Sequence, residues 1–463
     1  MSRWNLAWLL SVPMVVILGL TLSYSAPNRE RDKDYQLVRT VVDVLAEVDQ
    51  HYVRELDEKG RQKLVEDMIN GGLERLDPYS QYLNAEEYHH FETQSEGNFG
   101  GVGIQLGVDP KTGNLMVISP MVGTPALEAG ILAGDLIIKV DGNSTEGMRM
   151  GDVVKVIQGE PGTPISLTVL HENSREPATY TMKRARIEIE TVLGYRRLED
   201  NPKEWEWFAD KENGIAYIRL IQFNEHTAAD LRKAVERVQR EGAKALILDL
   251  RDNPGGLLTA AIEVSDMFLT GGRIVSTRDR FGHGRAWDAK EADTIFEPAK
   301  AHPIAVLINK NSASASEIVS AALQDNHRAV IVGERSFGKG SVQKVIRLNE
   351  GGQPTALKLT TDTYWRPSGK NIHRHPTDKD TDEWGVKPDP GFEVVLKDDE
   401  RLEYLKYRRS RDVIRGKEAP KADAKEEKPY RDKAVEKAVE HLKKEATGVG
   451  AVPFIDLSTG VGA

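Results

Sequence analysis

From Gly214 onward the sequence alternates short apolar runs with amphipathic stretches, and that alternation limits the fold more than any other feature. Residues 215–220, 245–250, 304–308 and 329–332 read as strands, and residues 227–241, 258–268 and 316–323 read as the helices between them. Runs that are apolar on both sides belong in a sheet covered by its own crossover helices, so this region predicts βαβ units and an α/β core.

Upstream the pattern changes twice. Within residues 35–91, Val38, Val41, Val42, Leu45 and Val48, then Leu64, Met68, Ile69 and Leu73, recur at three- and four-residue spacing, which predicts two or three amphipathic helices. Asp77-Pro78 breaks that run, and Asn84 is placed to cap another short helix. At Gly97 glycine and β-branched residues take over, with strand-like runs at 103–108, 115–118, 135–140 and 165–170 and short helices at 125–129 and 151–157, a small β-barrel-like module. Beyond residue 395 charge dominates, until Ala434, Val435, Ala438, Val439 and Leu442 form a thin helical stripe. At about 100–200 residues per domain, 463 residues make two to four units. The expected fold is multidomain α+β. It comprises a signal or anchor segment at 1–26, a helical segment at 30–95, the β module at 96–185, the α/β core at 186–395 and a charged helical tail at 396–463 that reads as a solvated extension or an oligomerisation element.

Composition removes several classes of function. Lys plus Arg number 63 against 72 Asp plus Glu, a net charge of -9, so there is no global basic field to attract nucleic acid. Without a single cysteine there can be no disulfide, thiolate metal site or Cys nucleophile. At the N-terminus Arg3 precedes an uncharged, largely apolar stretch from Asn5 to Tyr24, at the lower limit of the ~20 residues a spanning helix needs. Cleavage after Ala26 would leave bulky Tyr24 three residues before the cut and Pro27 just after it, so an uncleaved anchor is expected over a removed signal.

Two motifs in the α/β region carry chemistry: SASASEI at 312–318 and ERSFGKGSVQ at 334–343. In the first, a strand leads through small residues into a helix, which can lift a hydroxyl to a helix N-terminus where backbone N–H groups are unpaired. Ser312, Ser314 and Ser316 are interchangeable on this argument. Serine needs a neighbouring base, and lysine serves only if desolvation depresses its pKa. Lys339, between Gly338 and Gly340 in an apolar setting, suits that role. A developing oxyanion needs preorganised donors, and the glycines Gly255 and Gly256 of RDNPGG, with the amide of Ala315, supply them. GERSFGKGS nearly matches a phosphate-binding loop, but Gly340 stands where the Mg²⁺-binding hydroxyl belongs and the following residues alternate like a strand.

With GGVGIQL, PALEAGILAGDLIIKVDG, LDLRDNPGGLL, NKNSASASEI, VGERSFGKGSVQ and TYWRPSGKNI, the chain resembles the C-terminal-processing peptidases, PDZ-bearing Ser/Lys proteases, over about residues 35–395. The resemblance implies Ser314 as nucleophile, Lys339 as base, Gln343 as the residue supporting the lysine, and a secondary role for Glu317. It implies a circularly permuted PDZ module in which Gly101, Val102, Gly103 and Ile104 receive a substrate C-terminus, an extended peptide adding as a further strand. It implies no cofactor, protein substrates in a bacterial periplasm, self-assembly and an activating partner protein. Gln158 stands where the family pattern often has an arginine linking the PDZ to the active site, so a charged coupling is not expected there. His373, His375, Asp378, Asp380 and Asp382 crowd together but read as a lengthened surface loop. The alternative to an enzyme is a catalytically silent PDZ scaffold that binds peptides without turnover.

Overall fold

The structure, a computed structural model, describes residues 29–109, 112–171, 174–296, 302–414 and 430–446, and its chain divides into two compact units, Met1–Arg75 and Leu76–Ala463. The expected signal or anchor at 1–26 lies outside the described residues. Among the described residues no helix is long and apolar enough to cross a membrane.

The first unit holds helices α1 (Arg29–His51) and α2 (Glu58–Glu74). The carboxylate of Asp57 accepts the N–H of Gly60 at 2.7 Å and starts α2. The apolar positions that predict α1, including Val38, Val41 and Val42, are exposed.

The second unit opens with a short strand, β1 (Gln81–Leu83), and helix α3 (Ala85–Glu96), which Asn84 and Glu87 start as a capping box. The β module follows as β2 (Asn98–Gly101), β3 (Ile104–Val108), β4 (Leu115–Pro120), α4 (Pro125–Ala129), β5 (Leu136–Val140), α5 (Met150–Ile157), β6 (Pro164–Leu170), β7 (Ala178–Lys183) and β8 (Ala185–Glu188). Its main sheet runs β3-β4-β5-β6-β7, while β2 pairs with β8. Alternation decides the inner face: Ile165, Leu167 and Val169 of β6 point into a core with Val102, Val117 and Val153.

The α/β core comprises β9 (Val192–Leu193), β10 (Phe208–Asp210), β11 (Ile215–Leu220), α6 (Thr227–Arg240), β12 (Ala245–Asp249), α7 (Leu258–Asp266), β13 (Arg273–Asp279), β14 (Ala286–Asp288), β15 (Ile304–Ile308), α8 (Ala315–Asp325), β16 (Ala329–Gly333) and the hairpin β17 (Ser341–Glu350) and β18 (Gln353–Trp365). Strands β11, β12, β15 and β16 are neighbours in that order and parallel. Because each connection steps to the next strand, right-handed crossovers put α6, α7 and α8 on one face. Ile218, Leu248 and Val306 pack there with Leu231, Val264 and Val319. The opposite face, Tyr217, Ile247, Leu307 and Val332, is covered from the far end of the chain. After α9 (Asp398–Asp412), helix α10 (Lys433–Ala446) lays Ala434, Val435, Ala438 and Leu442 on it. The thin stripe in the tail is thus buried within this chain, because a parallel sheet has two apolar faces and the crossover helices cover only one.

A second sheet runs β1-β18-β13-β14 with β17 on β18. Its register sets Gln81 opposite Lys358 and Leu83 opposite Ala356, so residues 76–83 belong with the core and not with the helices before them.

Candidate active site

Between β15 and α8 the chain makes a sharp turn. Ser312 Oγ donates to Leu250 O at 2.8 Å and accepts the N–H of Asn309 at 2.9 Å, and Ser316 Oγ donates to Asn253 O at 3.0 Å. These two hydroxyls hold the turn together. Ser314 differs: its backbone sits at φ 54, ψ -114, where an L-residue with a side chain is strained. Strain of this kind at a strand-to-helix turn is what presents a nucleophilic serine in hydrolase folds built on a nucleophile elbow. The three serines that sequence leaves equivalent are therefore distinguished by their surroundings. Close approach of the 251–256 loop fixes the turn from the other side, since a Cβ on Gly255 would lie 2.8 Å from Ser314 Cβ and 2.7 Å from Ala313 O.

One buried carboxylate joins this turn to the lysine loop. Glu317, fully buried, accepts Ser336 Oγ at 2.6 Å and Gly338 N at 2.7 Å on Oε1, and Ser314 N and Lys339 N, each at 2.8 Å, on Oε2. Burial raises its pKa, and these hydrogen bonds pull the other way. Burial lowers the Lys339 ammonium to about 8, and the neighbouring charge of Lys358 pushes it the same way, against the carboxylates of Glu317 and Asp77. Lys339 Nζ lies over the ring of Tyr79, 4.8 Å from its centroid. Among the described residues no hydrogen bond joins Lys339 Nζ to Ser314 Oγ. Tyr364, almost wholly buried, donates its backbone N–H to Gly340 O at 2.7 Å. Burial pushes its phenol up to about 12, partly offset by a side-chain hydrogen bond with Ser314.

Of the three amides expected to face an oxyanion, that of Gly255 is already used, donating to Asn253 Oδ1 at 2.8 Å. Gly255 serves through its lack of a side chain. The N–H groups of Gly256 and Ala315 have no acceptor among the described residues. Gly256 sits at φ 146 with a Cβ position 1.9 Å from Phe223 O, a place no other residue can take. Arg251 anchors this loop, pairing with Asp249 at 2.6 Å and with Asp432, just ahead of α10, at 2.9 Å. Gln343 donates to Ser341 Oγ at 2.9 Å and Thr360 Oγ1 at 3.1 Å, and among the described residues no hydrogen bond joins its amide oxygen to Lys339. Asp77, Tyr79, Thr360 and Tyr364 were missed as site residues. A tyrosine or threonine carries no spacing signal, and only the pairing of β1 with β18 brings Asp77 and Tyr79 here.

The chain is 38% identical over 433 residues to the carboxy-terminal-processing protease of Bartonella bacilliformis, covering 89% of this chain and 92% of that one. It belongs to the carboxy-terminal-processing protease family. A family member from Synechocystis is 32% identical, over 69% of each chain. Within this family's chain, residues 214–390 match the model of peptidase family S41 and residues 116–170 that of the PDZ domain. The photosystem II D1 C-terminal processing protease, a solved structure, aligns over 76% of this chain and 92% of its own at 26% identity and a TM-score of 0.40.

In the PDZ module of this family member, Gly101 ends β2 and Ile104 begins β3. Between them Gly103 has φ 77, and the N–H groups of Val102 and Gly103 have no backbone acceptor among the described residues, while the Val102 side chain is buried in the module core. Free amides around a left-handed glycine form a nest suited to a carboxylate. A cleft of about 1180 Å³ runs from Gly100 past Lys155 and Gln158 of the α5 end to His89 of α3 and Lys358. Lys155 closes one side of it, paired with Glu86 at 2.5 Å. In the histidine- and aspartate-rich loop, Asp378 and Asp382 accept the backbone N–H groups of His375 and Lys379, each at 2.7 Å. Among the described residues no group of three or more such side chains could hold a metal ion.

Proposed function

We propose that this chain is a serine endopeptidase that takes protein C-termini on its PDZ module and hydrolyses peptide bonds with Ser314 as nucleophile and Lys339 as base. The observation that carries the reading is the strained Ser314 turn held to the Lys339 loop by one carboxylate, with two unpartnered amides beside it. Neutral Lys339 accepts the hydroxyl proton as Ser314 Oγ attacks the scissile carbonyl carbon. The carbonyl oxygen takes up the negative charge and accepts the N–H groups of Ala315 and Gly256. Collapse of the tetrahedral adduct breaks the C–N bond, and the lysine returns its proton to the leaving amine. Water, deprotonated by the same lysine, then releases the acyl group and regenerates Ser314. Swinging Nζ from the Tyr79 ring to Ser314 Oγ forms the working pair.

Substrate enters by its C-terminus, whose carboxylate meets the amides of Val102 and Gly103 while the chain runs beside β3 from Ile104, and the cleft lined by Gly100 and Lys358 leads towards the site. The apolar segment before residue 26 tethers the enzyme to the inner membrane with its catalytic part in the periplasm. Self-assembly uses the exposed apolar positions of α1, and a partner protein switches the enzyme on.

Wild type, Ser314→Ala and Lys339→Ala are compared on an unfolded protein with a non-polar C-terminus, and binding of that C-terminus is measured separately. The expected result is turnover by wild type, none by either variant and unchanged binding by all three. Normal cleavage by Lys339→Ala removes the mechanism, and binding without turnover by wild type leaves the silent scaffold.

A further inference from the structure

The turn at Asp77–Ser80 precedes the PDZ module in sequence, yet it lies against the lysine. Its placement is rigid. Asp77 Oδ1 accepts the N–H groups of Tyr79 at 2.8 Å and Ser80 at 2.9 Å, and its Oδ2 accepts Ser80 Oγ at 2.6 Å. Thr360 donates its N–H to Ser80 Oγ and its hydroxyl to Asp77 Oδ1, both at 3.0 Å, and β1 continues the turn into the sheet opposite Lys358. On the far side Thr360 Oγ1 accepts Gln343 Nε2 at 3.1 Å, so the same turn reaches the lysine through a ring and Gln343 through a threonine.

We propose that Tyr79 is a positioning residue for the lysine base, its ring face seating the ammonium in the resting enzyme so that Lys339 must leave that seat to reach Ser314. The inference rests on the reading of Lys339 as base. An aromatic face attracts the charged ammonium and not the neutral amine, and the attraction grows where water is excluded. Tyr79 therefore holds the lysine in its unreactive, protonated form. The other charges facing Lys339 are Lys358 on β18, Glu317 on α8 and Asp77 on the turn itself. His373, whose backbone lies 2.2 Å from a Cβ position on the adjacent Gly340, Arg374, whose N–H donates to Gly338 O at 2.9 Å, and Tyr364, whose N–H donates to Gly340 O at 2.7 Å, are further titratable groups beside this loop.

The test is the pH dependence of kcat/KM in the full chain. Tyr79→Phe keeps the ring and should leave the acid limb at the wild-type pH. Tyr79→Leu keeps an apolar wall but loses the π face, and should move the acid limb down by about half to one pH unit, a gain of about three- to ten-fold on that limb. Fluorinated phenylalanines at position 79, which drain the ring face without changing its shape, should move the limb down in step with fluorine number and cover the case in which Tyr79→Leu misfolds. An inflection that ignores fluorine number, or the same shift in Tyr79→Phe as in Tyr79→Leu, overturns the inference. Lys339→Ala, run in parallel, separates the two readings. If it is inactive and the limb still ignores the ring, only the role of Tyr79 falls; if it is active, the base assignment falls first and the seat with it.

Discussion

Ser314 and Lys339 donate their backbone N–H groups to the same oxygen, Oε2 of Glu317, each at 2.8 Å. The turn that strains the serine and the loop that buries the lysine are thus held two hydrogen-bond lengths apart by an atom belonging to neither. Glu317→Gln tests the link. All four groups on this carboxylate are donors, and an amide can accept only on its single oxygen, leaving at least the Gly338 N–H, or in the other orientation those of Ser314 and Lys339, facing an NH2. Turnover should fall by at least about a hundred-fold, with stability lowered by about 1–3 kcal/mol as buried donors lose their partner. Single-turnover cleavage and denaturant unfolding measure the two.

Activity should rise as pH increases through about 8, because the lysine must be neutral to accept a proton and burial has lowered it to that range. Lys358 pushes Lys339 the same way by charge, so Lys358→Met should shift the rising limb to higher pH. A limb that stays in place or moves down in this variant would show that the two ammonium groups do not interact.

Stability carries the same shift with the opposite consequence. Folding lowers Lys339 from 10.5 to about 8, so its charged form costs stability fully below about 8, and the cost fades as pH rises towards the unfolded value. Lys339→Met should therefore be inactive yet more stable at pH 7, by about 1–3 kcal/mol, with the gain shrinking as pH rises above about 8. Thermal melts of both proteins from pH 6 to 10 give the comparison.

Gly255→Ala should cost catalysis more than folding. Its Cβ would meet the Ser314 side chain at 2.8 Å, and the left-handed backbone at φ 98 adds strain. The expected loss is about a hundred-fold in kcat with peptide binding at the PDZ unchanged, since displaced oxyanion donors act on the transition state.

Leu442→Ala should destabilise the α/β core by about 2–5 kcal/mol, as for other buried leucines, although it lies in the charged tail. Urea unfolding followed by tryptophan fluorescence gives the value.

The fold was largely legible where a local period reports burial. The parallel strands β11, β12, β15 and β16 fall where apolar runs place them, and β6 is readable from its alternation, whereas β13 and β14, which carry no such run, were not foreseen. Legibility failed where partners are distant in sequence. The stripe from Ala434 to Leu442 shows that a helix has an apolar side, but not that this side meets Tyr217 and Leu307. The serine cluster marks a helix start without saying which hydroxyl is spare, because Ser312 and Ser316 are committed to Leu250 and Asn253, some sixty residues earlier. Tyr79 and Asp77 could be recognised only from the strand register that delivers them.

Helix α10 comes last among the described residues, yet it closes a sheet whose parallel strands begin at Ile215. A chain made from its N-terminus therefore emerges with the back of that sheet bare until residues 433–446 arrive. The salt bridge from Asp432 to Arg251 needs the same late segment, so until then the glycine loop beside the serine has only the pairing of Arg251 with Asp249. In a family named for processing carboxy termini, this member spends a downstream helix on closing its own sheet, with Ala434, Val435, Ala438 and Leu442 turned inward.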